Sequence, residues 1–210
     1  MLVVCTAVTI VGVLALLVAE RRGSQAGKWA CKPLASAGFL GAALAAGVHD
    51  GFAAAIVAGL ALSLVGDVFL ISKDKAAFRA GLVSFLLGHL AFAVAFLFRG
   101  VRPGATALAL VALTGAALPI GRWLLPYVDT KMRVPVIAYV VVISTMVALA
   151  AGTVAAHGHA ILLAAAVGFF LSDLAVARDR FVAHGFVNRL WGLPLYYGAQ
   201  LLFAWSLTGV

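Results

Sequence analysis

Eight long apolar runs constrain the fold of this chain more than any other feature. A helix that crosses a membrane needs about 20 mostly apolar residues. Roughly eight runs approach that length: 1–19, 32–48, 52–71, 82–98, 105–121, 134–156, 160–177 and 191–208. Continuous runs favour helices over membrane strands, in which polarity alternates. The sequence therefore predicts an all-α polytopic membrane protein with about eight transmembrane helices, in a single transmembrane helical domain over residues 1–210.

The composition agrees with this fold class. Hydrophobic residues make up 65% of the chain and charged residues 10%, whereas soluble proteins contain about 25% charged residues. These proportions exclude a soluble enzyme, a nucleic-acid-binding module and a disordered chain. The bias towards Ala, Val, Gly and Arg is typical of GC-rich bacterial genomes. We therefore expect an integral protein of the bacterial plasma membrane.

The basic residues lie almost entirely in one set of alternate loops. Thirteen of the 15 are there: Arg21, Arg22, Lys28, Lys32, Lys73, Lys75, Arg79, Arg122, Lys131, Arg133, Arg178, Arg180 and Arg189. The opposite loops hold only Arg99 and Arg102. Basic loops stay in the cytoplasm, so we predict that both termini lie outside. The net charge of +8 thus sets orientation and attracts anionic membrane lipids, and no nucleic-acid partner is expected.

The two halves of the chain are loosely similar. Lys32-Pro33 corresponds to Arg133 and Pro135, and Gly66-Asp67 corresponds to Ser172-Asp173. Pro33 and Pro135 are expected in the first turns of their helices, where a missing N–H costs little. A parallel repeat of four helices explains the similarity, and chance explains it equally well.

Two aspartates fall inside the predicted spans. Asp67 and Asp173 each lie about four residues from the cytoplasmic end of a run. Ionisable groups inside a membrane are costly and mark functional sites, so these two are the first candidates for catalysis. The other five acidic residues are expected to be solvated in loops or at helix ends: Glu20, Asp50, Asp74, Asp129 and Asp179.

Other polar side chains occur at a similar depth and are the candidates for substrate binding. They are Lys32, His89, Tyr139, Asn188, Arg189, Tyr196, Tyr197 and Gln200. Local explanations exist for some of them: the tyrosines as interface anchors, His89 bonded to a backbone carbonyl, and Lys32 extended to the membrane surface. So many polar groups at one level of the bundle nevertheless predict a shared cavity.

Metal and nucleotide chemistry have weaker signals. His49, Asp50, His157 and His159 lie on two outer loops and form either a polar turn or a zinc or copper site. The sequence lacks the motifs of serine hydrolases with a nucleophile elbow, zinc proteases and P-loop proteins. We predict no metal in the catalytic site and no cofactor.

Several short motifs resemble the YhhN family, the lysoplasmalogenase family of membrane proteins. They are Cys31-Lys32-Pro33-Leu34, Leu64–Ile71 (LVGDVFLI), Phe85–Leu90 (FLLGHL), Phe170-Leu171-Ser172-Asp173 and Leu195–Leu202 (LYYGAQLL). Their order and spacing fit across nearly the whole chain. The fifth and sixth runs match least, which makes Tyr139 the weakest correspondence.

The resemblance implies hydrolysis of the vinyl ether bond of lysoplasmalogens, which gives a fatty aldehyde and a glycerophospho-alcohol. Asp67 and Asp173 would then be the acidic pair. One would protonate the vinyl β-carbon, and the other would stabilise the oxocarbenium ion and activate water. Lys32 and Arg189 would bind the phosphate of the lysophospholipid. The sequence does not distinguish the acid from the base.

Three alternatives remain open at this stage. A transporter or channel would use Asp67, His89 and Asp173 as a proton or cation relay, although few polar residues lie in the outer halves of the spans. A lipid-binding protein would retain a lysolipid without turnover. A hydrolase of the same class would act on another lipid, since many bacteria lack plasmalogens.

Overall fold

The protein is a bundle of eight α-helices in a computed structural model that describes residues 1–209. The helices are α1 (Leu2–Arg21), α2 (Gln25–Ala46), α3 (Gly51–Phe69), α4 (Lys75–Arg99), α5 (Pro103–Leu124), α6 (Thr130–His157), α7 (Ala160–Ala177) and α8 (Phe186–Trp205). Short 3₁₀ turns follow α5 and α8, and a π-helical turn, Arg178–Val182, follows α7. Residues 1–209 contain no strand. The predicted all-α class is confirmed, and the structure has eight helices; the prediction that all eight cross the membrane stays a prediction.

Six of the helices are long and apolar enough to cross a membrane: α1, α3, α4, α5, α6 and α7. The other two, α2 and α8, have 22 and 20 residues and carry several of the polar residues singled out above. An integral membrane protein is therefore supported by length and composition. The orientation of the termini stays a prediction.

Several helices begin earlier than the apolar runs indicated. Ser24 caps α2, with its side chain accepting a hydrogen bond from the Gly27 N–H, so Lys32 and Pro33 lie two turns inside the helix. Likewise α6 begins at Thr130, and Pro135 is not in its first turn. The predicted first-turn positions of both prolines were wrong, because hydropathy detects the apolar segment and not the polar turns that precede it.

Seven helices form the main bundle. Along the chain, α1 packs on α2, α2 on α3 and α3 on α4; α4 then contacts α6, α6 contacts α7, and α7 contacts α8. Helix α8 closes the bundle against α1 and α2. Helix α5 lies outside, against α6, and of its described residues only Leu124 is buried. The site residues are thus held mainly by α2, α3, α4, α6, α7 and α8.

Aromatic side chains fill the half of the bundle beyond His89. Phe92 and Phe203 stack with ring centroids 4.2 Å apart, and Phe96 packs beside them. All three are fully buried. Gly59 on α3 allows this packing, because a Cβ atom there would lie 2.5 Å from the Phe92 ring.

Adding one methyl group to a buried and to an exposed glycine distinguishes the effect of close packing on stability from the effect of helix propensity. We expect Gly59→Ala to lower the free energy of unfolding by about 1–3 kcal/mol, because the new Cβ overpacks against a ring that cannot move aside. Gly115→Ala on exposed α5, where an added Cβ would meet no atom within 4 Å beyond its chain neighbours and its own helix backbone, should be neutral or stabilising by up to about 1 kcal/mol. Thermal unfolding in detergent measures both, and equal melting temperatures would contradict the packing.

Candidate active site

Asp67 is held by side chains from three helices. It lies in the last turn of α3 and is 2% exposed. Lys32 on α2 places its Nζ 3.1 Å from Asp67 Oδ1. Ser36 donates to Oδ2 at 2.6 Å and Tyr196 of α8 donates to the same oxygen at 2.7 Å. Both carboxylate oxygens therefore have donors, one of them cationic, which is the environment of an ionised carboxylate.

Helix geometry brings Lys32 and Ser36 to the same carboxylate. Residues four apart lie on one face of a helix, so both side chains of α2 point towards α3. Lys32 is itself 7% exposed, so the alternative explanation, extension to the membrane surface, does not apply: the side chain turns inward to the buried carboxylate. Ser36 was missed by sequence reasoning, although its spacing from Lys32 was the signal for it.

Asp173 has a different set of neighbours. Tyr139 on α6 donates to Asp173 Oδ2 at 2.8 Å, and His89 on α4 places Nε2 3.4 Å from the same oxygen. His89 Nδ1 lies 2.6 Å from the Phe85 carbonyl. A carbonyl only accepts hydrogen bonds, so Nδ1 carries a hydrogen, and His89 makes the backbone bond that the sequence left open as a local explanation for it.

The position of that hydrogen determines what His89 offers to Asp173. With Nδ1 protonated, Nε2 of a neutral imidazole is an acceptor and cannot donate to a carboxylate. Nε2 makes no hydrogen bond within residues 1–209, although it lies 3.4 Å from Asp173 Oδ2. Asp173 Oδ1 also accepts no hydrogen bond from the same residues.

Aromatic contacts link the two carboxylate clusters. The ring of Tyr196, which binds Asp67, lies 5.3 Å from the ring of Phe169, and Phe169 lies 4.4 Å from the ring of His89, which faces Asp173. The two clusters thus belong to one packed layer, and no hydrogen bond joins the two carboxylates within residues 1–209.

Asp67 and Asp173 line the same cavity of about 120 Å³, called here the apolar cavity. Its other walls are mostly hydrophobic and come from α4 to α8; they include Leu82, Phe85, Ile120, Leu124, Val140, Ile143, Phe170 and Leu193. Of the predicted binding residues, Lys32, Tyr139, Asn188, Arg189 and Tyr196 also line it. The predicted convergence on a cavity holds for these five.

The other predicted binding residues lie behind the cavity wall. His89 contacts Asp173 from outside the cavity lining. The Tyr197 hydroxyl lies 3.3 Å from Ser36 Oγ and 3.4 Å from the Lys32 carbonyl. Gln200 is fully buried, and neither of its side-chain polar atoms has a hydrogen-bond partner in the described chain.

A second, larger cavity of about 690 Å³ adjoins the first. We call it the polar chamber. Its charged or titratable lining residues are Glu20, Lys28, Lys32, Lys73, Asp179, Arg180, His184 and Arg189. Lys32, Asp179 and Arg189 line both cavities, as do Leu70, Phe78 and Leu193. A charged compartment thus borders an apolar one, with Lys32 and Arg189 at the boundary.

Asp179 organises that boundary, and sequence reasoning missed this role of Asp179. Its carboxylate accepts from Arg189 Nη2 at 2.7 Å, from Asn188 Nδ2 at 3.0 Å and from the Gly185 N–H at 3.1 Å. The side chain is 6% exposed, so its expected solvation was wrong. The reason is that α8 begins at Phe186: Asn188 and Arg189 lie in its first turn, not in a loop, and face the π turn that carries Asp179.

The four outer candidates for metal binding do not converge. His159 Nε2 contacts Arg99 Nη2 at 3.3 Å, and Asp50 caps α3 through the Ala53 N–H. Among residues 1–209, no group of three or more His, Cys, Asp or Glu side chains is placed to hold a metal ion.

The buried Lys32–Asp67 pair makes a prediction about stability. Lys32→Met should lower the free energy of unfolding by about 3–5 kcal/mol, because it leaves a carboxylate uncompensated in the bundle. Adding Asp67→Asn should recover most of that loss, since a buried pair can be replaced by neutral groups at little cost. Unfolding in detergent measures both variants.

Lys131→Met is the matched control, because Lys131 is exposed and its loss should change stability by less than about 0.5 kcal/mol. A double variant as unstable as Lys32→Met alone would contradict the energetic coupling of the pair.

Comparison with known proteins identifies the family of this chain. The model of the YhhN family matches residues 27–207. Lysoplasmalogenase TMEM86A of Bos taurus is 34% identical over 159 residues, which cover 72% of this chain and 64% of the relative. Lysoplasmalogenase TMEM86B of Rattus norvegicus is 35% identical over 149 residues, covering 70% and 58%.

The human lysoplasmalogenase TMEM86B is 34% identical over 179 residues, which cover 84% of this chain and 72% of the relative. The chain spans about 64% of the length of the bovine relative and 58% of that of the rat relative. No solved structure gives a significant match. From the match of the family model over most of its length, the chain belongs to the YhhN family.

Proposed function

We propose that this protein is a membrane hydrolase that cleaves the vinyl ether bond of a lysoplasmalogen, giving a fatty aldehyde and a glycerophospho-alcohol. The observation that carries the proposal is the pair of aspartates on one apolar cavity, each with a different set of donors. Relatives named lysoplasmalogenase at 34–35% identity support the same reaction.

The two donor sets assign different roles to the carboxylates. Asp67 receives an ammonium and two hydroxyl donors, so it serves as the fixed anion that stabilises a nearby positive charge. Asp173 lies 3.4 Å from His89 Nε2 and keeps Oδ1 free of hydrogen bonds within residues 1–209, and we assign it the role of general acid. Tyr139 and His89 position Asp173 for this transfer.

The reaction begins with transfer of a proton from the Asp173 carboxyl to the β-carbon of the vinyl ether. The π electrons of the double bond form the new C–H bond, and an oxygen lone pair completes the oxocarbenium ion beside Asp67. Water then adds to the cationic carbon and returns a proton to Asp173. In the collapse of the hemiacetal, its hydroxyl gives up a proton as the C=O bond of the aldehyde forms and the C–O bond to glycerol breaks. The glycerol oxygen takes up one proton, and one water is consumed overall.

The cavity walls suggest how the substrate lies. The alkenyl chain fits the hydrophobic walls from α4 to α8, and the phosphate fits the boundary where Lys32 and Arg189 line both cavities. Tyr196 lines the cavity beside Asp67 and Asn188 lines it beside Arg189. We assign Tyr197 to support of the site from behind the wall, through its contact with Ser36. Gln200, whose side-chain polar atoms have no partner in the described chain, receives no role.

The proposal includes an orientation. With both termini outside, the boundary and the polar chamber face the cytoplasmic leaflet of a bacterial plasma membrane, from which a lysophospholipid and water reach them. The basic loops on that side bind anionic membrane lipids.

A transporter with Asp67, His89 and Asp173 as a relay is not favoured. Past His89, the next turns of the bundle are filled by the buried rings of Phe92, Phe96 and Phe203. A continuous polar path would need donors or acceptors at that level. The same cavity suits a lysolipid that is bound without turnover or a different ether lipid, and the activity assay distinguishes these cases from the proposal.

Loss of either carboxylate should abolish most of the activity. We expect Asp173→Asn to lower kcat about 10²–10⁴-fold, because an amide cannot supply the proton. Asp67→Asn should lower kcat about 10²–10³-fold, because the oxocarbenium ion loses its counter-charge. Aldehyde release from lysoplasmalogen by the purified protein in detergent measures both.

Asp129→Asn is the matched control for these substitutions. Asp129 is exposed, makes no side-chain cap and lines neither cavity, so this variant should retain full activity. Because Asp67→Asn leaves Lys32 unpaired, the assay includes the Lys32→Met, Asp67→Asn double variant as a folded background. Full activity in both aspartate variants would refute the proposed site.

A further inference from the structure

Basic residues outnumber acidic residues in the lining of the polar chamber. Five Lys or Arg residues line it, together with His184, against two carboxylates: Lys28, Lys32, Lys73, Arg180 and Arg189 face Glu20 and Asp179. Lys73 and Arg180 have no carboxylate partner within residues 1–209. An excess of cations in a concave site attracts an anion, so the chamber is suited to a phosphate-bearing group.

The two carboxylates of the chamber differ in what they can still bind. Both oxygens of Asp179 are occupied, Oδ1 by Gly185 and Asn188 and Oδ2 by Arg189 and His184. Glu20 uses Oε2 for Lys28 at 2.7 Å, while its second oxygen accepts no hydrogen bond in the described chain. Glu20 is 14% exposed at the side chain, so it faces the chamber without being fully solvated.

We propose that the polar chamber binds the headgroup of a zwitterionic lysophospholipid, with the phosphate at Lys32 and Arg189 and the ammonium at Glu20. This inference rests on the proposed function for the position of the chain and the ether bond. It adds a specificity residue, Glu20, and a headgroup compartment outside the catalytic cavity.

The order of the lining residues supports this assignment. A lysophospholipid presents its groups in the order alkenyl chain, ether, glycerol, phosphate and ammonium. The protein presents hydrophobic walls and the two aspartates in the apolar cavity, then Lys32 and Arg189 at the boundary, and then Glu20 in the polar chamber alone. A phosphate at the boundary therefore leaves the ammonium in the compartment that contains the available carboxylate oxygen.

Asp179 fixes the phosphate end of this arrangement. Its bond to Arg189 Nη2 at 2.7 Å holds the guanidinium at the boundary, and the other guanidinium nitrogens remain available for a phosphate oxygen. A carboxylate that already binds Arg189 and His184 does not compete for the ammonium. Glu20 can do so by exchanging Lys28 for the ligand's cation.

Binding of non-hydrolysable lipids tests the proposal without turnover. The probes are two saturated alkyl-ether lysophospholipids, one with a phosphoethanolamine headgroup and one with a phosphate monoester. The quantity measured is the ratio of their Kd values on the purified chain of residues 1–210. We expect Glu20→Gln to raise Kd for phosphoethanolamine relative to the monoester about five-fold, the scale of one partly exposed ion pair.

Lys28→Gln separates a ligand-binding Glu20 from a structural one. If Glu20 binds the ammonium, removing its Lys28 partner should shift the ratio in the opposite direction and favour phosphoethanolamine. If Glu20 only joins α1 to α2 through Lys28, the two substitutions should act alike. Asp129→Asn should leave the ratio unchanged. Parallel shifts for Glu20→Gln and Lys28→Gln, or an unchanged ratio in Glu20→Gln, would overturn the proposal.

Competitors distinguish a headgroup site from a simple phosphate site. Glycerophosphoethanolamine should displace the lipid better than inorganic phosphate does, and equal displacement would overturn the zwitterion assignment. Failure of the proposed function is recognised separately. The expected Kd ratios without aldehyde release would support the headgroup site and contradict the proposed reaction. Aldehyde release with unchanged Kd ratios would contradict the headgroup site alone.

Discussion

The burial of the Asp67 carboxylate is the constraint on which the rest of the structure depends. A carboxylate inside a membrane bundle is stable only where cationic or hydrogen-bonding groups replace water. Lys32 and Ser36 of α2 and Tyr196 of α8 supply those groups. This requirement holds α2, α3 and α8 together around the Asp67 carboxylate. It also explains why Lys32, two turns inside its helix, has its side chain turned inward. The apolar cavity lies beside the Asp67 carboxylate, which forms part of its lining.

The contrast between the two aspartates follows from their neighbours. Asp67 is surrounded by donors, one of them the Nζ of Lys32, whereas Asp173 meets a histidine whose Nδ1 hydrogen is already committed to a carbonyl. Two carboxylates of one cavity can then do different work, one as a fixed charge and one as a proton carrier. The proposed reaction needs an acid and a stabilised cation in one site, and both carboxylates line the same cavity.

Hydropathy predicted the eight helices because a membrane requires about 20 apolar residues per span, and the cost of intramembrane charge singled out Asp67 and Asp173. Helix starts were predicted poorly, since caps such as Ser24 lie in polar segments. The contacts of Ser36 and Asp179 could not be predicted, because they depend on which helices meet: α2 with α3 and α8, and the π turn with α8. In the sequence, Asp179 resembles a solvated loop residue, because only the fold brings Gly185, Asn188 and Arg189 to its carboxylate.

The fate of solvent atoms during turnover tests the central claim most directly. In water labelled with deuterium and ¹⁸O, protonation of carbon predicts a fatty aldehyde with one deuterium beside the carbonyl. It also predicts a glycerophospho-alcohol without ¹⁸O, because water attacks the vinyl carbon and the glycerol oxygen keeps its own bond to glycerol. Mass spectrometry of the two products measures both labels. An aldehyde without that deuterium, or ¹⁸O in the glycerophospho-alcohol, would contradict the account.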